Sequence, residues 1–102
     1  MNERFEAERC IDPGHPALAG HFPGNSVVPG VVLLDAVREV LGQWLPGFRI
    51  AELIQTKFLY PLRPGIRFKV RLGRTKSDAI RFDCLLEDVR FASGLLLTEK
   101  VS

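Results

Sequence analysis

One stretch of this sequence, residues 30–45, has the apolar spacing of a long amphipathic helix, while the segments around it have the spacing of strands. At about 100° per residue, its apolar side chains fall on one broad face and its polar side chains on the other. The apolar face comprises Leu33, Leu34, Val37, Val40, Leu41, Trp44 and Leu45, and the polar face Asp35, Arg38, Glu39, Gly42 and Gln43. We predict that Pro29 is the first helical position, where a proline loses no hydrogen bond. Pro46 and Gly47 end the helix.

Five strands are predicted around this helix. They cover residues 4–11, 50–60, 66–72, 80–86 and 89–101, with stiff or short turns at residues 61–65 and 73–78. Short turns require antiparallel pairing of neighbouring strands. One helix against an antiparallel sheet is an α+β arrangement. A single helix covers only one face of a sheet, so the other face or an edge requires polar residues or a partner chain.

Composition excludes several classes of protein. The 102 residues, 46% hydrophobic and 25% charged, predict one soluble globular domain spanning residues 1–102. The net charge of +2 is too small to indicate nucleic-acid binding. No apolar run approaches the roughly 20 residues that span a bilayer, and the N-terminus lacks the apolar core of a signal peptide. We therefore expect a cytoplasmic protein with no membrane partner.

The two cysteines point to a reducing compartment. Cys10 and Cys84 have neither metal-ligand spacing nor the pattern of a disulfide framework. Both occur in segments where apolar residues alternate, so we predict that both are buried free thiols. The sequence offers no metal-ligand cluster, and we expect no cofactor.

The segment from His15 to Asp35 holds two histidines, three prolines and three glycines, and it runs directly into the predicted helix. A lone loop histidine is more often structural than catalytic, but His21 is followed by Phe-Pro-Gly, which fixes its backbone. The free amides of Gly30 and Val31 at the helix start suit a developing oxyanion. A base, an acid and an oxyanion site together suffice for proton abstraction next to a carbonyl.

Asp35 has two interpretations. The simpler is a solvated carboxylate on the polar stripe that pairs with Arg38 and contributes about 0.3 kcal/mol to the stability of the helix. The other is a carboxylate shielded by a second subunit, because Val31 and Val32 flank it and make the first turn of that face apolar.

The segment H-F-P-G-N-S-V-V-P-G-V-V-L-L-D-A, residues 21–36, resembles the active-site segment of the bacterial β-hydroxyacyl-acyl-carrier-protein dehydratases of the FabA/FabZ type. The resemblance is strong over residues 15–37 and continues weakly through F-L-Y-P-L-R-P-G, residues 58–65. It implies the hotdog fold, in which a curved antiparallel sheet wraps a long central helix. It also implies dehydration of a 3-hydroxyacyl thioester to a trans-2-enoyl thioester in fatty-acid or related acyl-chain synthesis.

The resemblance assigns roles to several residues. His21 matches the catalytic base, which must be neutral, as a histidine with the ordinary pKa of about 6.5 is at pH 7. Asp35 matches the carboxylate that protonates or orients the departing hydroxyl, and Gly30 the amide that binds the thioester carbonyl, with Val31 beside it. In the family, the histidine of one subunit meets the carboxylate of the other, which implies a homodimer, a heterodimer or a higher oligomer. Phe22 is a candidate substrate-binding residue.

Other apolar residues could line an acyl tunnel, although core packing is the more common role of each: Val31, Leu34, Phe58 and Tyr60. No acidic residue lies between Glu52 and Asp78, and the basic residues of that segment could dock an acidic carrier protein. The candidates are Arg63, Arg67, Lys69 and Arg71. The alternative is that they form the solvated face of an exposed strand.

The chain departs from the family pattern at Glu39, where glutamine is common, at Ser26, where proline is usual, and at Ile66, where aspartate is common. It is also short, and it resembles the small variants, some of which act in aryl polyene or other specialised lipid pathways. Two alternatives stay open: a non-catalytic acyl-binding or partner subunit of a heterodimer, motivated by Glu39 and the length, and a hotdog acyl thioesterase. The H-F-P-G loop is unusual for such thioesterases.

Overall fold

The computed structural model describes residues 4–18 and 27–101. In chain order the elements are β1 (Arg4–Cys10), a 3₁₀ turn (Pro16–Leu18), α1 (Gly30–Trp44), β2 (Phe48–Phe58), β3 (Arg67–Arg74), β4 (Ile80–Leu86) and β5 (Val89–Lys100). The five strands form one sheet in the order β1-β3-β4-β5-β2, with every neighbouring pair antiparallel. The predicted α+β arrangement is confirmed.

The core lies between helix α1 and the inner face of the sheet. The helix contributes Val37, Val40 and Leu41, which have no exposed surface. Val70 and Leu72 of β3, Phe82 and Cys84 of β4 and Leu96 of β5 meet them from the sheet and are equally buried. Each fully buried aliphatic or aromatic side chain contributes about 1.5–3 kcal/mol to folding. This packing holds the helix across the sheet and sets where its first turn lies.

The helix start differs from the prediction by one residue. Pro29 is the residue before the helix, with an extended ψ of 149°, and its carbonyl accepts the amides of Val32 at 3.0 Å and Leu33 at 3.2 Å. The ring-fixed φ of proline suits either position. Val31 and Val32 flank Asp35 as predicted, but Val32 is buried in the core, so of these two valines only Val31 adds apolar surface to the open face. Val32 and Ala36 are one turn apart on the same buried side of the helix.

Two strand boundaries also shift. Strand β2 begins at Phe48, since Gly47 reverses the chain with a φ of +87°, and it ends at Phe58. The amides of Leu59 and Tyr60 then both donate to the Phe91 carbonyl, at 2.8 and 3.2 Å. Strand β3 continues to Arg74, beyond the predicted turn at residue 73.

The two cysteines have different environments. Cys84 of β4 is buried as predicted, and burial raises the pKa of its thiol to about 12. Cys10 is exposed, so the prediction of a second buried thiol is wrong. The reason is that Cys10 lies on the outward face of β1 with Arg4, Glu6 and Glu8, while the side chains of Phe5 and Ala7 on the other face pack against the core. Both thiols are free.

Candidate active site

Helix α1 begins with an open first turn. Gly30 is half-buried and Val31 is 65% exposed. The amide of Val32 donates to the Pro29 carbonyl, but among the described residues no backbone acceptor or side-chain cap is found for the amides of Gly30 and Val31. They also carry the positive end of the helix dipole. Such amides can bind a carbonyl oxygen that gains negative charge during a reaction.

The ring of Phe58, from edge strand β2, lies against Gly30. A Cβ built on Gly30 would lie only 2.6 Å from Cζ and 2.9 Å from Cε2 of Phe58. No side chain fits between the helix start and this ring. Phe58 is still 52% exposed, so part of its ring is open to a neighbouring group. The ring therefore forms one wall beside the first turn of the helix.

Backbone hydrogen bonds hold this arrangement in place. The amide of Val28, two residues before the helix, donates to the Leu62 carbonyl at 2.8 Å. Leu62 follows β2 closely along the chain, and both it and Val28 are buried. The segment after β2 is thus joined to the segment before α1, which positions Phe58 relative to Gly30.

Asp35 lies one turn beyond Val31 on the open face of the helix. Its side chain is 58% exposed, and its Oδ1 is 3.6 Å from Nε of Arg38. A surface ion pair of this kind contributes between 0 and about 1 kcal/mol. In the single chain Asp35 therefore has the simpler of its two predicted environments, a solvated carboxylate beside Arg38. Glu39 is exposed on the next turn.

The predicted base, His21, and the predicted substrate-binding residue Phe22 lie outside the described residues, so their roles stay predictions. The other histidine, His15, is described. Its Nδ1 accepts the amide of Ala17 at 3.0 Å and so supports the 3₁₀ turn.

Exposed apolar side chains cluster on and beside edge strand β2. We call them the apolar strip: Val27, Val31, Leu53, Ile54, Phe58 and Tyr60. Core packing was the more common role expected for the acyl-tunnel candidates. Val31, Phe58 and Tyr60 do not have this role, because their side chains are exposed. Leu34 is partly buried against the core. Leu53 and Ile54 were not among the predicted residues of the acyl tunnel. The broken alternation of apolar residues in this strand could have indicated their exposure. It corresponds to register shifts in the pairing with β5 between Ile50 and Gln55.

The predicted docking residues carry partners that the local sequence did not reveal. Arg71 of β3 donates a hydrogen bond to Glu6 of β1, and this guanidinium holds the pKa of Glu6 below its usual range. Arg67 lies 3.7 Å from Glu8. Arg63 is exposed in the loop before β3.

The end of the outer face that holds Arg67 and Lys69 is mixed in charge. These two cations line a depression together with Glu8, Glu87 and Asp88. Although residues 53–77 contain no aspartate or glutamate, carboxylates from other strands and turns lie beside their cations in the folded chain.

Within residues 4–18 and 27–101, no three histidine, cysteine or carboxylate side chains are grouped to hold a metal ion. Over the same residues, no helix has the length and apolar character needed to cross a membrane.

The sequence and the fold are similar to those of known proteins. The chain belongs to the ApeI-like family of ApeI dehydratases, whose profile matches residues 1–95. The resemblance to FabZ-type hotdog dehydratases is thereby confirmed, and so is the hotdog fold.

Individual relatives agree with this assignment. The chain is 36% identical over 88 residues to a 3-hydroxyacyl-[acyl-carrier-protein] dehydratase FabZ from Thermomicrobium roseum, covering 74% of this chain and 58% of the relative. It is 28% identical over 112 residues to a FabZ from Caulobacter sp. (strain K31), covering 91% and 69%. The chain thus spans only part of the length of the curated relatives it matches.

The fold is similar to that of a chain in the dehydratase heterocomplex ApeI:P from Xenorhabdus doucetiae. The TM-score is 0.81 at 24% identity, and the match covers 96% of this chain and 88% of the other. At this identity the likeness establishes the fold only.

Proposed function

We propose that this chain dehydrates a 3-hydroxyacyl thioester, delivered on an acyl carrier protein, to the trans-2-enoyl thioester in the synthesis of fatty acids or related acyl chains. Family membership supports dehydratase chemistry. The observation that carries the proposal is the open first turn of α1, where the amides of Gly30 and Val31 lie beside Phe58 and one turn from Asp35.

In the proposed reaction, His21 takes the proton from the α-carbon of the substrate. The electron pair moves toward the thioester carbonyl, whose oxygen accepts hydrogen bonds from the amides of Gly30 and Val31. Asp35 gives a proton to the β-hydroxyl, the carbon–oxygen bond breaks, and water leaves as the double bond forms. Proton exchange with solvent then returns both side chains to their starting states.

We propose further that the working site is shared between two chains, with His21 from one and Asp35 from the other. Asp35 is open to solvent in the single chain, and the apolar strip beside it is exposed. Among the described residues β2 is the last strand of the sheet, and its outer edge can pair with a second strand. A two-fold pairing of two copies would cover the strip with itself, as isologous interfaces do.

A second candidate is that the partner chain differs from this one. The similar fold from Xenorhabdus doucetiae is part of a heterocomplex, and Glu39 departs from the glutamine of the resembled pattern. In that case this chain supplies one half of the site and the partner supplies the other.

Mixing of two inactive variants tests the shared site. His21→Ala and Asp35→Asn chains are assayed separately and after exchange of subunits, with 3-hydroxyacyl carrier-protein thioesters of several chain lengths. Random exchange restores about a quarter of wild-type activity, because half of the dimers are mixed and each has one intact site. Glu39→Gln, a matched change on the same helix, retains activity.

Three other outcomes of this experiment would point to a different site or function. Inactive mixtures together with an active wild type would show that each site lies within one chain. Release of free acid from the wild type would instead indicate a thioesterase. Turnover that requires a second protein would favour the heterodimer.

A further inference from the structure

The outer face of the sheet, opposite helix α1, carries a charged row that uses one residue from every strand. In register order the row is Glu6, Arg71, Asp83, Ser93 and Lys57. These residues occur 65, 12, 10 and 36 positions apart along the chain, so only the sheet brings them together.

Asp83 lies at the centre of this row and is unusual for an outward-facing carboxylate. Its side chain is only 8% exposed, because two arginines cover it. Arg81 Nε lies 3.1 Å from Oδ2, and Arg90 Nε lies 2.8 Å from Oδ1. Both arginine side chains stay nearly half exposed. Asp83 thus holds two guanidinium groups in fixed positions, and each keeps further N–H donors that can face a partner.

More cations surround this centre. The depression on one side of Asp83 is lined by Arg4 and Arg71, and the depression on the other side by Lys57. We call the whole group the basic face: Arg4, Lys57, Arg71, Arg81 and Arg90. Only two carboxylates, Glu6 and Asp83, pair with these five cations among the described residues. Because the whole chain carries a net charge of only +2, positive charge is concentrated here.

We propose that the basic face is the docking surface for an acidic protein, which, if the proposed function holds, is the carrier protein that delivers the acyl chain. Charge complementarity of this kind accelerates encounter and sets orientation. The carboxylates of Glu6 and Asp83 lie between the cations and would repel a uniform polyanion such as nucleic acid. The apolar side chains of Leu59 and Leu95, which line the same depression as Lys57, suit a folded protein surface.

The basic face adjoins the candidate active site across a single strand. Lys57 and Phe58 are consecutive in β2, so their side chains point to opposite faces of the sheet. Lys57 faces the depression beside Asp83, while Phe58 contacts Gly30. Where β2 ends, an apolar depression of about 360 Å³ includes Tyr60 and Val89 in its lining.

The test compares Lys57→Glu, and Lys57→Glu combined with Arg90→Gln, with the control Lys100→Glu. Arg81 stays on Asp83 in both variants, so no buried carboxylate is left unpaired. Lys100 is exposed and lies seven residues beyond Ser93 on β5, about 23 Å along the strand. Each protein is titrated with purified acyl carrier protein at low and high salt. It is also assayed with the same acyl group on the carrier and on a short pantetheine thiol.

We expect the double variant to weaken carrier binding and raise KM for the carrier-bound substrate about tenfold, with turnover of the short thioester unchanged. High salt should weaken wild-type binding and reduce the difference between the proteins. Unchanged carrier binding in the double variant, or an equal loss in Lys100→Glu, would overturn the docking surface. The docking surface would also be overturned if the wild type bound duplex DNA as tightly as it binds the carrier protein. If the wild type binds carrier through these residues but turns over no thioester, the proposed function fails and the docking surface stands.

Discussion

The ring of Phe58 closes one side of the helix start at Gly30, and the two residues are 28 positions apart in the chain. This contact joins edge strand β2 to the first turn of α1, where the candidate oxyanion amides lie. It also explains why a glycine occupies the first helical position, since a Cβ there would overlap the ring.

The first prediction concerns that overlap. Gly30→Ala places a methyl group 2.6 Å from the Phe58 ring, so the ring or the helix start must move. We expect a loss of about 1–3 kcal/mol in the free energy of unfolding, measured by urea denaturation, and a lower rate of dehydration. Gly42→Ala is the matched control, because nothing lies within 4 Å of a Cβ there. It should raise stability by about 0.5–1 kcal/mol.

A double-mutant cycle separates the overlap from backbone effects. In a Phe58→Ala background, Gly30→Ala should no longer destabilise the protein, because the ring that it meets is gone. If Gly30→Ala costs the same in both backgrounds, the Phe58 contact is not the cause.

The second prediction separates chemistry from stability at Asp35. Its ion pair with Arg38 is exposed at 3.6 Å, so Asp35→Asn should change the free energy of unfolding by less than about 0.5 kcal/mol. Loss of a general acid should reduce kcat at least about 100-fold. Thermal melting and steady-state kinetics on the same preparation check both values. A large drop in stability with a matching drop in activity would instead make Asp35 a structural residue.

The third prediction concerns the two thiols. Cys10 is exposed, whereas burial raises the pKa of Cys84 to about 12. A thiol reacts as its thiolate, and at pH 8 that form of Cys84 is on the order of one part in 10,000. One thiol per chain should therefore react quickly with an alkylating reagent at pH 8, and the second only after unfolding. Cys10→Ser should remove the fast phase; a fast phase that persists would place Cys84 within reach of solvent.

The fourth prediction concerns the centre of the basic face. Asp83→Ala leaves Arg81 and Arg90 side by side without their shared carboxylate. Because the carboxylate is buried but both arginines are half exposed, we expect a loss of about 1–3 kcal/mol in stability, less than for a fully buried pair. Glu8→Ala, which removes an exposed pair at 3.7 Å, should cost less than about 0.5 kcal/mol. Similar losses for both variants in urea denaturation would contradict the special role of Asp83.

The fifth prediction concerns the apolar strip. Ile54→Lys places a charge on the exposed surface of β2 without disturbing the core, so the single chain should remain folded by circular dichroism. If the strip is covered by a second chain, sedimentation should show dissociation of the variant at concentrations where the wild type is associated. Ile66→Lys, at an exposed apolar residue outside the strip, is the control. A wild type that sediments only as a monomer would contradict the shared site.

Several features of the site followed from local sequence. The helix and its open polar stripe were predicted correctly, because i, i+3 and i, i+4 spacing is a local property. The ion pair of Asp35 with Arg38 in the single chain is one of the two environments that this spacing allowed. The strand order along the chain and the pairing of β3 with β4 and of β4 with β5 followed from alternation and short turns. The pairing expected across the turn at residues 61–65 is wrong, because β2 pairs with β5 and β3 pairs with β1. Cys10 was mispredicted although the alternation of β1 indicated its face: Phe5 and Ala7 pack against the core, and Cys10 lies on the opposite, exposed face.

Local patterns in the sequence were enough to predict the α+β class, the position of the helix and the residues at its first turn, because backbone periodicity and turn residues act over a few positions. Which distant residues meet depends on how the strands are ordered in the folded chain. The tertiary structure placed Phe58 against Gly30, Glu6 beside Arg71, and Asp83 beneath two arginines, and it left the apolar side chains of β2 exposed. Strand order and register set these contacts, since they bring together residues that lie far apart in the chain.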